Sequence, residues 1–220
     1  MKKLIIFSFL VAAFMVSCNE ADIVDNDHQV GISKVTNYPI MTIHGAQFIS
    51  IAVGTAFTDP GASAEAGGVT VDVAVSGSVN TNTPGVYTIT YTATNVDGFL
   101  VTNSRLVGVY NASAAANDFS GSYARSTNQS LAVWTKVAPG MYTVFNPGGA
   151  PGTNLTIHAF NPSGFIINVP PQPDSAGGTT SCSNSAGGPN ITYNPGPPAQ
   201  YSWIVLNAGY GASVRNFTKQ

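Results

Sequence analysis

The residues of this chain that could do chemistry are few and scattered. Three histidines stand at His28, His44 and His158, none close in sequence to a second ligand, so no metal-binding motif forms. From residue 118 onward the only carboxylates are Asp118 and Asp174, thin material for the paired acids that glycoside hydrolysis requires. No Gly-x-Ser-x-Gly elbow, phosphate loop or dinucleotide fingerprint occurs. Cys182 lies in Thr180-Ser181-Cys182-Ser183-Asn184, with no neighbouring base or cation to lower its pKa, and reads as a passive thiol. The expectation is a non-enzyme without cofactor or metal.

Charge narrows the class further. Charged side chains make up 8% of the 220 residues, eight Lys and Arg against ten Asp and Glu, where soluble proteins average about 25%. With a net charge of -2 and no basic stripe to neutralise phosphates, a nucleic-acid partner is excluded. Met1-Lys2-Lys3 is a short basic region, and the apolar run Leu4 to Val16, broken only by Ser8, is too short for a permanent span. Together they read as a secretory signal.

The run ends in Met15-Val16-Ser17-Cys18, which resembles the lipobox of bacterial lipoproteins, with Met15 where Leu is usual. The resemblance implies removal of residues 1–17, lipidation of Cys18 and anchoring in the outer membrane, since multiple acyl chains hold a protein where one does not. An ordinary cleavable signal with an incidental cysteine is the alternative. Without Lys2 and Lys3, six basic and ten acidic residues leave a net charge of -4. Cys182 is then the one free thiol, so no intramolecular disulfide is expected. Glu20, Asp22, Asp25 and Asp27 follow Cys18 closely and resemble the acidic export signal that takes Bacteroidota lipoproteins to the cell exterior. A plain solvated linker is the alternative. Residues 18–37 read as an acidic, flexible stalk.

The elements that would position any site read as all-β. Twenty-three glycines and fourteen prolines interrupt helices throughout, while Thr, Val, Tyr and Ile fill the intervals. Val69, Val71, Val73 and Val75 alternate with polar or small residues, as do Tyr87, Ile89, Tyr91 and Ala93 with threonines. Each run predicts a strand with one packed face. Asn95-Val96-Asp97-Gly98 carries a hairpin signal ahead of Phe99 to Tyr110. Three blocks, Val53 to Ala62, Val75 to Thr81 and Pro84 to Ala93, resemble the bacterial Ig-like surface domain over residues 38–110. That resemblance implies a β-sandwich acting as spacer or adhesion element without catalysis. Ala64-Glu65-Ala66-Gly67-Gly68 replaces the family's acidic stretch, so no calcium site is expected, and Asp59 and Asp97 read as turn residues.

Residues 111–117 read as a linker and residues 118–220 as a second antiparallel β domain, a small barrel or sandwich. The segments Asp118 to Arg125 and Lys136 to Tyr142 resemble an uncharacterised C-terminal β module that follows Ig-like domains in Bacteroidota lipoproteins. Seven prolines and five glycines between Pro170 and Pro198 predict a long loop, with at most a short strand around Asn190 to Tyr193. Within it, Asp174-Ser175-Ala176 resembles the Bacteroidota O-glycosylation acceptor, which makes Ser175 a candidate.

A hairpin centred on Pro139 and Gly140 pairs Trp134 with Phe145 and Lys136 with Thr143. Those four then share a face opposite Val133, Val137, Tyr142 and Val144. Since lysine is rarely buried, that face reads as wet and as a platform for a sugar ring. A one-residue bulge would reverse the assignment. The functional expectation is therefore a surface lipoprotein whose Ig-like spacer presents a C-terminal domain to a glycan or other macromolecule. The alternative is a structural or adhesion subunit of a surface complex with no small ligand.

Overall fold

The computed structural model describes residues 29–30 and 33–220. The signal segment, Cys18, and Glu20, Asp22, Asp25 and Asp27 lie outside the described residues. The chain divides into two units, residues 1–37 and 38–220. In the first, Gln29–Val30 (β1) pairs antiparallel with Ser33–Lys34 (β2).

The second unit begins with an Ig-like sandwich. One sheet joins Ile40–Ile43 (β3), Ala62–Ala66 (β5) and Val69–Val71 (β6). The other runs in the order Phe48–Ala52 (β4), Leu100–Tyr110 (β9), Gly85–Thr94 (β8) and Val73–Ser76 (β7), with β4 parallel to β9. In β8 the alternation works as expected, burying Ile89, Tyr91 and Ala93. The valine run behaves differently. The chain leaves one sheet after Val71 and enters the other at Val73, pairing first with β5 and then with β8. That crossing breaks the common face, so Val69 and Val75 are exposed.

Between the sheets lies a charged centre. Arg105 is fully buried, with Nη1 donating to Asp59 and to the Tyr91 hydroxyl (2.9 Å), Nη2 to the His44 carbonyl and Nε to the Ala46 carbonyl (2.9 Å). Tyr91 donates to Asp59 Oδ1 at 2.6 Å, and burial with this bond pushes its phenol up to about 12. Asp59 is thus the counter-ion of a buried arginine. A buried charge is tolerable only when it is paired and hydrogen-bonded in this way.

The segment after Tyr110 folds into a short helix, Ala112–Ala116 (α1), whose N-cap Asn111 accepts from the Ala114 amide. Its small residues dock it against the next module. Asn111 N donates to the Pro162 carbonyl at 3.0 Å and Ser113 Oγ accepts from Gly164 N at 3.0 Å.

Ten strands follow in one sheet: Gly121–Arg125 (β10), Leu131–Ala138 (β11), Met141–Phe145 (β12), Thr156–Phe160 (β13), Ile166–Ile167 (β14), Val169–Pro173 (β15), Thr179–Ser183 (β16), Ile191–Asn194 (β17), Gln200–Leu206 (β18) and Val214–Lys219 (β19). Their order is β13-β12-β11-β10-β19-β18-β16-β15, with β17 beside β14 and β18. Side chains nearly close this sheet into a barrel. Gln172 on β15 is buried, and its carboxamide accepts from His158 N and donates to His158 O on β13, both at 2.7 Å. Phe160 and Asn168 exchange two backbone bonds on one side of it, and Ser175 Oγ accepts from Thr156 N on the other.

The stretch from Pro170 to Pro198 is therefore not a long loop. It holds most of β15 together with β16 and β17; β15 is the last strand in the order, and Pro170 and Pro171 fall in the register shift between Val169 and Gln172, where the pairing with β16 is interrupted. Two tight turns join these strands. In Asp174-Ser175-Ala176-Gly177-Gly178 the carboxylate Oδ1 accepts from Ala176 N and Gly178 N, and in Asn184-Ser185-Ala186-Gly187-Gly188 the amide oxygen does the same at Ala186 and Gly188. Gly177 and Gly187 supply φ values of 80° and 81°, which side-chain-bearing residues rarely adopt.

Inside, Phe119, Tyr123, Trp134, Tyr142, Tyr193, Tyr201, Trp203 and Phe217 form one aromatic cluster. Its polar tips are mutually satisfied: Trp134 Nε1 donates to Tyr201 Oη (3.0 Å), Trp203 Nε1 to the Pro147 carbonyl (2.9 Å) and Tyr123 Oη to the Phe119 carbonyl (2.7 Å). Replacing Gln172 with Ala strips both bonds from His158 and leaves its backbone unpaired at the seam. The expected loss is about 2–4 kcal/mol in urea unfolding; a change under about 0.5 kcal/mol would show that the seam is held otherwise.

Candidate functional site

The sugar platform inferred from the β11–β12 hairpin does not form. Pairing runs Val133 with Phe145, Trp134 with Val144, Thr135 with Thr143 and Lys136 with Tyr142, one residue out from the expected register, with a bulge between Lys136 and Ala138. The extra residue at Val137 slides β12 by one and exchanges its faces. Trp134 consequently shares the inner face with Tyr142 and Val144 and is only 2% exposed. Lys136 lies on the same side as Trp134, and its Nζ donates to the Ala115 and Asn117 carbonyls at 3.1 and 2.5 Å, where it satisfies the end of α1. Thr143 and Phe145 point to the outer face, where Phe145 is exposed and Thr143 half-buried.

Other sequence candidates take structural posts. Cys182 is buried, and burial pushes its thiol up, so it is unreactive. Ser175 is exposed, but its hydroxyl accepts from Thr156 N and donates to the Asn154 carbonyl at 3.1 Å. His44 meets Ser63 Oγ at 3.0 Å, and His158 stacks on Phe48 with ring centres 3.8 Å apart. Burial holds the His158 pKa below its ordinary value. Among the described residues no three His, Cys, Asp or Glu side chains come together to hold a metal. In a Trp203→Phe variant, Trp134 is the remaining indole, and acrylamide should quench it several-fold less than free tryptophan; quenching at the free rate would contradict its burial.

The structure instead gathers a set of groups at one mouth of the barrel, which residue-by-residue reading did not connect. An open cavity of about 460 Å³ is lined by Asn117, Asp118, Phe119, Phe165, Tyr193 and Lys219 among others. Asn117 caps α1 and anchors the loop by donating to Asn161 Oδ1 (2.9 Å) and the Gly164 carbonyl (2.5 Å). Asp118 accepts from Ser120 N at 2.9 Å. Hydrogen bonds from the Ser120 hydroxyl and amide, with Lys136 and Lys219 nearby, hold its carboxyl below the usual range and so ionised at neutral pH. Tyr193 stacks on Phe119 with centres 4.1 Å apart and forms a hydrogen bond to Tyr123 Oη, which fixes the floor. Phe165 stands on the rim, 42% exposed and 6.4 Å from the Tyr193 ring. Lys219 Nζ lies 5.8 Å from the Tyr123 ring centre, within cation–π range.

This mouth offers an apolar ring, a carboxylate acceptor, an ammonium donor and an amide within one concavity. Asp174 serves elsewhere: although burial works against it, bonds from Thr180, Gly178, Ala176 and Asn207 hold its carboxyl below the usual range in the β15–β16 turn. The arrangement is suited to binding a polar ligand against an aromatic face.

Comparison with known proteins finds a family resemblance over one part of the chain. Residues 41–109 match the model of the bacterial surface protein Ig-like domain. Among solved structures, the lipoprotein BT2262 from Bacteroides thetaiotaomicron aligns at 23% identity with a TM-score of 0.35, covering 83% of this chain and 100% of that one. The M60 catalytic domain with the CBM51-1 and CBM51-2 domains of Clostridium perfringens ZmpB aligns at 12% identity with a TM-score of 0.30, covering 85% of this chain and 22% of that one. At these scores neither alignment defines a shared architecture for the whole chain. No curated protein sequence matches it. Residues 41–109 are thus similar to an Ig-like domain of bacterial surface proteins.

Proposed function

We propose that this chain is a non-catalytic lipoprotein of the outer membrane, displayed on the cell exterior, in which the Ig-like sandwich is a spacer and the barrel mouth binds a glycan. The observation that carries the binding role is the cavity where the exposed Phe165 ring stands beside ionised Asp118, the Lys219 ammonium and the Asn117 amide. Sugar rings present an apolar face edged by hydroxyls, and such a site matches both halves of that surface. The rest of the barrel interior is filled by aromatic side chains, which leaves the rim as the place for a ligand. The acyl anchor at Cys18 and the acidic residues Glu20, Asp22, Asp25 and Asp27 supply the address.

A second reading, an adhesion or structural subunit with no small ligand, draws on Leu131, Val137 and Phe145, which are 43%, 48% and 43% exposed on the outer face of β11 and β12. The two part on which surface matters. On a glycan array with the chain lacking residues 1–17, Phe165→Ala and Asp118→Asn should each weaken the leading signal about tenfold or more, while Phe145→Ser leaves it unchanged. Absence of any glycan signal, or indifference to Phe165→Ala, would refute the mouth as a binding site. The address is tested separately: Cys18→Ser should move the protein from the detergent phase to the aqueous phase, and retention in detergent would overturn the anchor.

A further inference from the structure

Strand alternation that packs the barrel with aromatics also sends two arginines inward at the mouth opposite Phe165. Arg125 ends β10 and pairs with Phe217 on β19, while Arg215 lies two residues before Phe217 on the same inner face. Lys219 and Asp118 mark the far ends of these strands, so the arginines occupy the other rim. Diagonal neighbours of this kind lie roughly 7–8 Å apart.

Neither guanidinium has a carboxylate partner among the described residues, in contrast to Arg105, which pairs with Asp59 in the Ig-like sandwich. Arg215, 5% exposed, donates to the carbonyls of Gly211 and Ser213 and lies over the Tyr210 ring at 5.1 Å. Arg125 reaches the Gly148 and Gly149 carbonyls only through Nη1, at 3.3 and 3.4 Å. The Nε atoms of both side chains are buried without a hydrogen-bond partner. Burial and the like charge of Arg125 both work against the Arg215 cation. Arginine does not escape this by losing its proton, and two neighbouring positive charges with orphaned donors are relieved by an anion.

The fork geometry indicates which anion. Arg125 is half-buried; its Nε is covered and unpartnered, whereas its Nη2, which can donate to an oxyanion, makes no bond to protein. Gly148 and Gly149 carry the backbone across this mouth, where a Cβ at Gly148 would meet the Tyr210 ring at 2.2 Å and one at Gly149 would meet Arg125 at 2.9 Å. We propose that Arg125 and Arg215 form an oxyanion site, in which the unbonded Nη2 of the half-buried Arg125 receives a sulfate or phosphate group, either free or carried on a sugar, with Arg215 supplying a second positive charge beneath it. This site stands apart from the Phe165 mouth and does not depend on that reading.

Sulfate also stabilises proteins without binding them, by exclusion from their surface, so the test follows the arginines themselves. In the chain lacking residues 1–17, the Nε–H resonances of Arg125 and Arg215 are recorded while sodium sulfate, sodium phosphate or glucose 6-sulfate is added at constant ionic strength. Saturable movement of both signals is expected. Half-saturation should rise about tenfold or more in Arg125→Lys, which keeps the charge but loses the fork, and should be unchanged in Phe165→Ala. Saturation by the inorganic ions alone assigns the site to free anions, and saturation by the sugar sulfate as well extends it to a borne group. Linear drift of the signals, or equal half-saturation in Arg125→Lys and the native chain, would overturn the site. Arg125→Gln serves as the second variant, since a half-exposed position is replaced more safely than Arg215.

Discussion

Along the free edge of β13, three residues stand in for a neighbouring strand: Asn168 by its backbone, Gln172 by its carboxamide and Ser175 by its hydroxyl. A sheet of this length that stayed open would expose a row of unpaired donors and acceptors at each end. This closure satisfies the outward backbone groups of Thr156, His158 and Phe160 on β13. The aromatic interior depends on that closure. Indole and phenol groups survive there because each finds a partner within the cluster or on the backbone, an outcome that entering water would disturb.

The same barrel sets how the Ig-like sandwich is carried. Phe48 lies flat on His158, Ser50 Oγ donates to the Pro139 carbonyl at 2.5 Å, and Gly108 admits Phe160, whose ring would meet a Cβ there at 2.4 Å. Gly140, with φ of 68°, fills the turn in which a side chain would strike Tyr110 and the Asn161 carbonyl. With α1 docked between the modules, the segment that composition marks as a linker is a structural joint. Its sequence, alanines and serine between two asparagines, is too short to show helical periodicity.

What could be read in advance followed from period and turn chemistry. The β8–β9 hairpin was legible because its alternation is long and its Asn-x-Asp-Gly turn is distinctive, and the three motif blocks marked the Ig-like part. The valine run misled because period alone does not reveal that a strand changes sheets after three residue pairs. Trp134 misled for a related reason: a single bulged residue, invisible in the spacing, decides which face of the hairpin is dry. The Pro/Gly-rich stretch looked like a loop because prolines signal breaks, yet an edge strand accepts them. The paired Asx-Ser-Ala-Gly-Gly turns were the signal that this region folds. The Phe165 mouth was out of reach, since its groups come from four separate stretches of chain that only the folded barrel brings together.

The parallel pairing of β4 with β9 has a mechanical meaning. Chain enters the sandwich sheet at Phe48 and leaves it at Tyr110, and these two strands lie side by side over five residue pairs. Tension applied between those points pulls the strands along their length in opposite directions. The rungs are then strained in shear and share the load, whereas a hairpin pulled open from one end yields a rung at a time. A module wired this way transmits force from one end of the chain to the other before it lengthens.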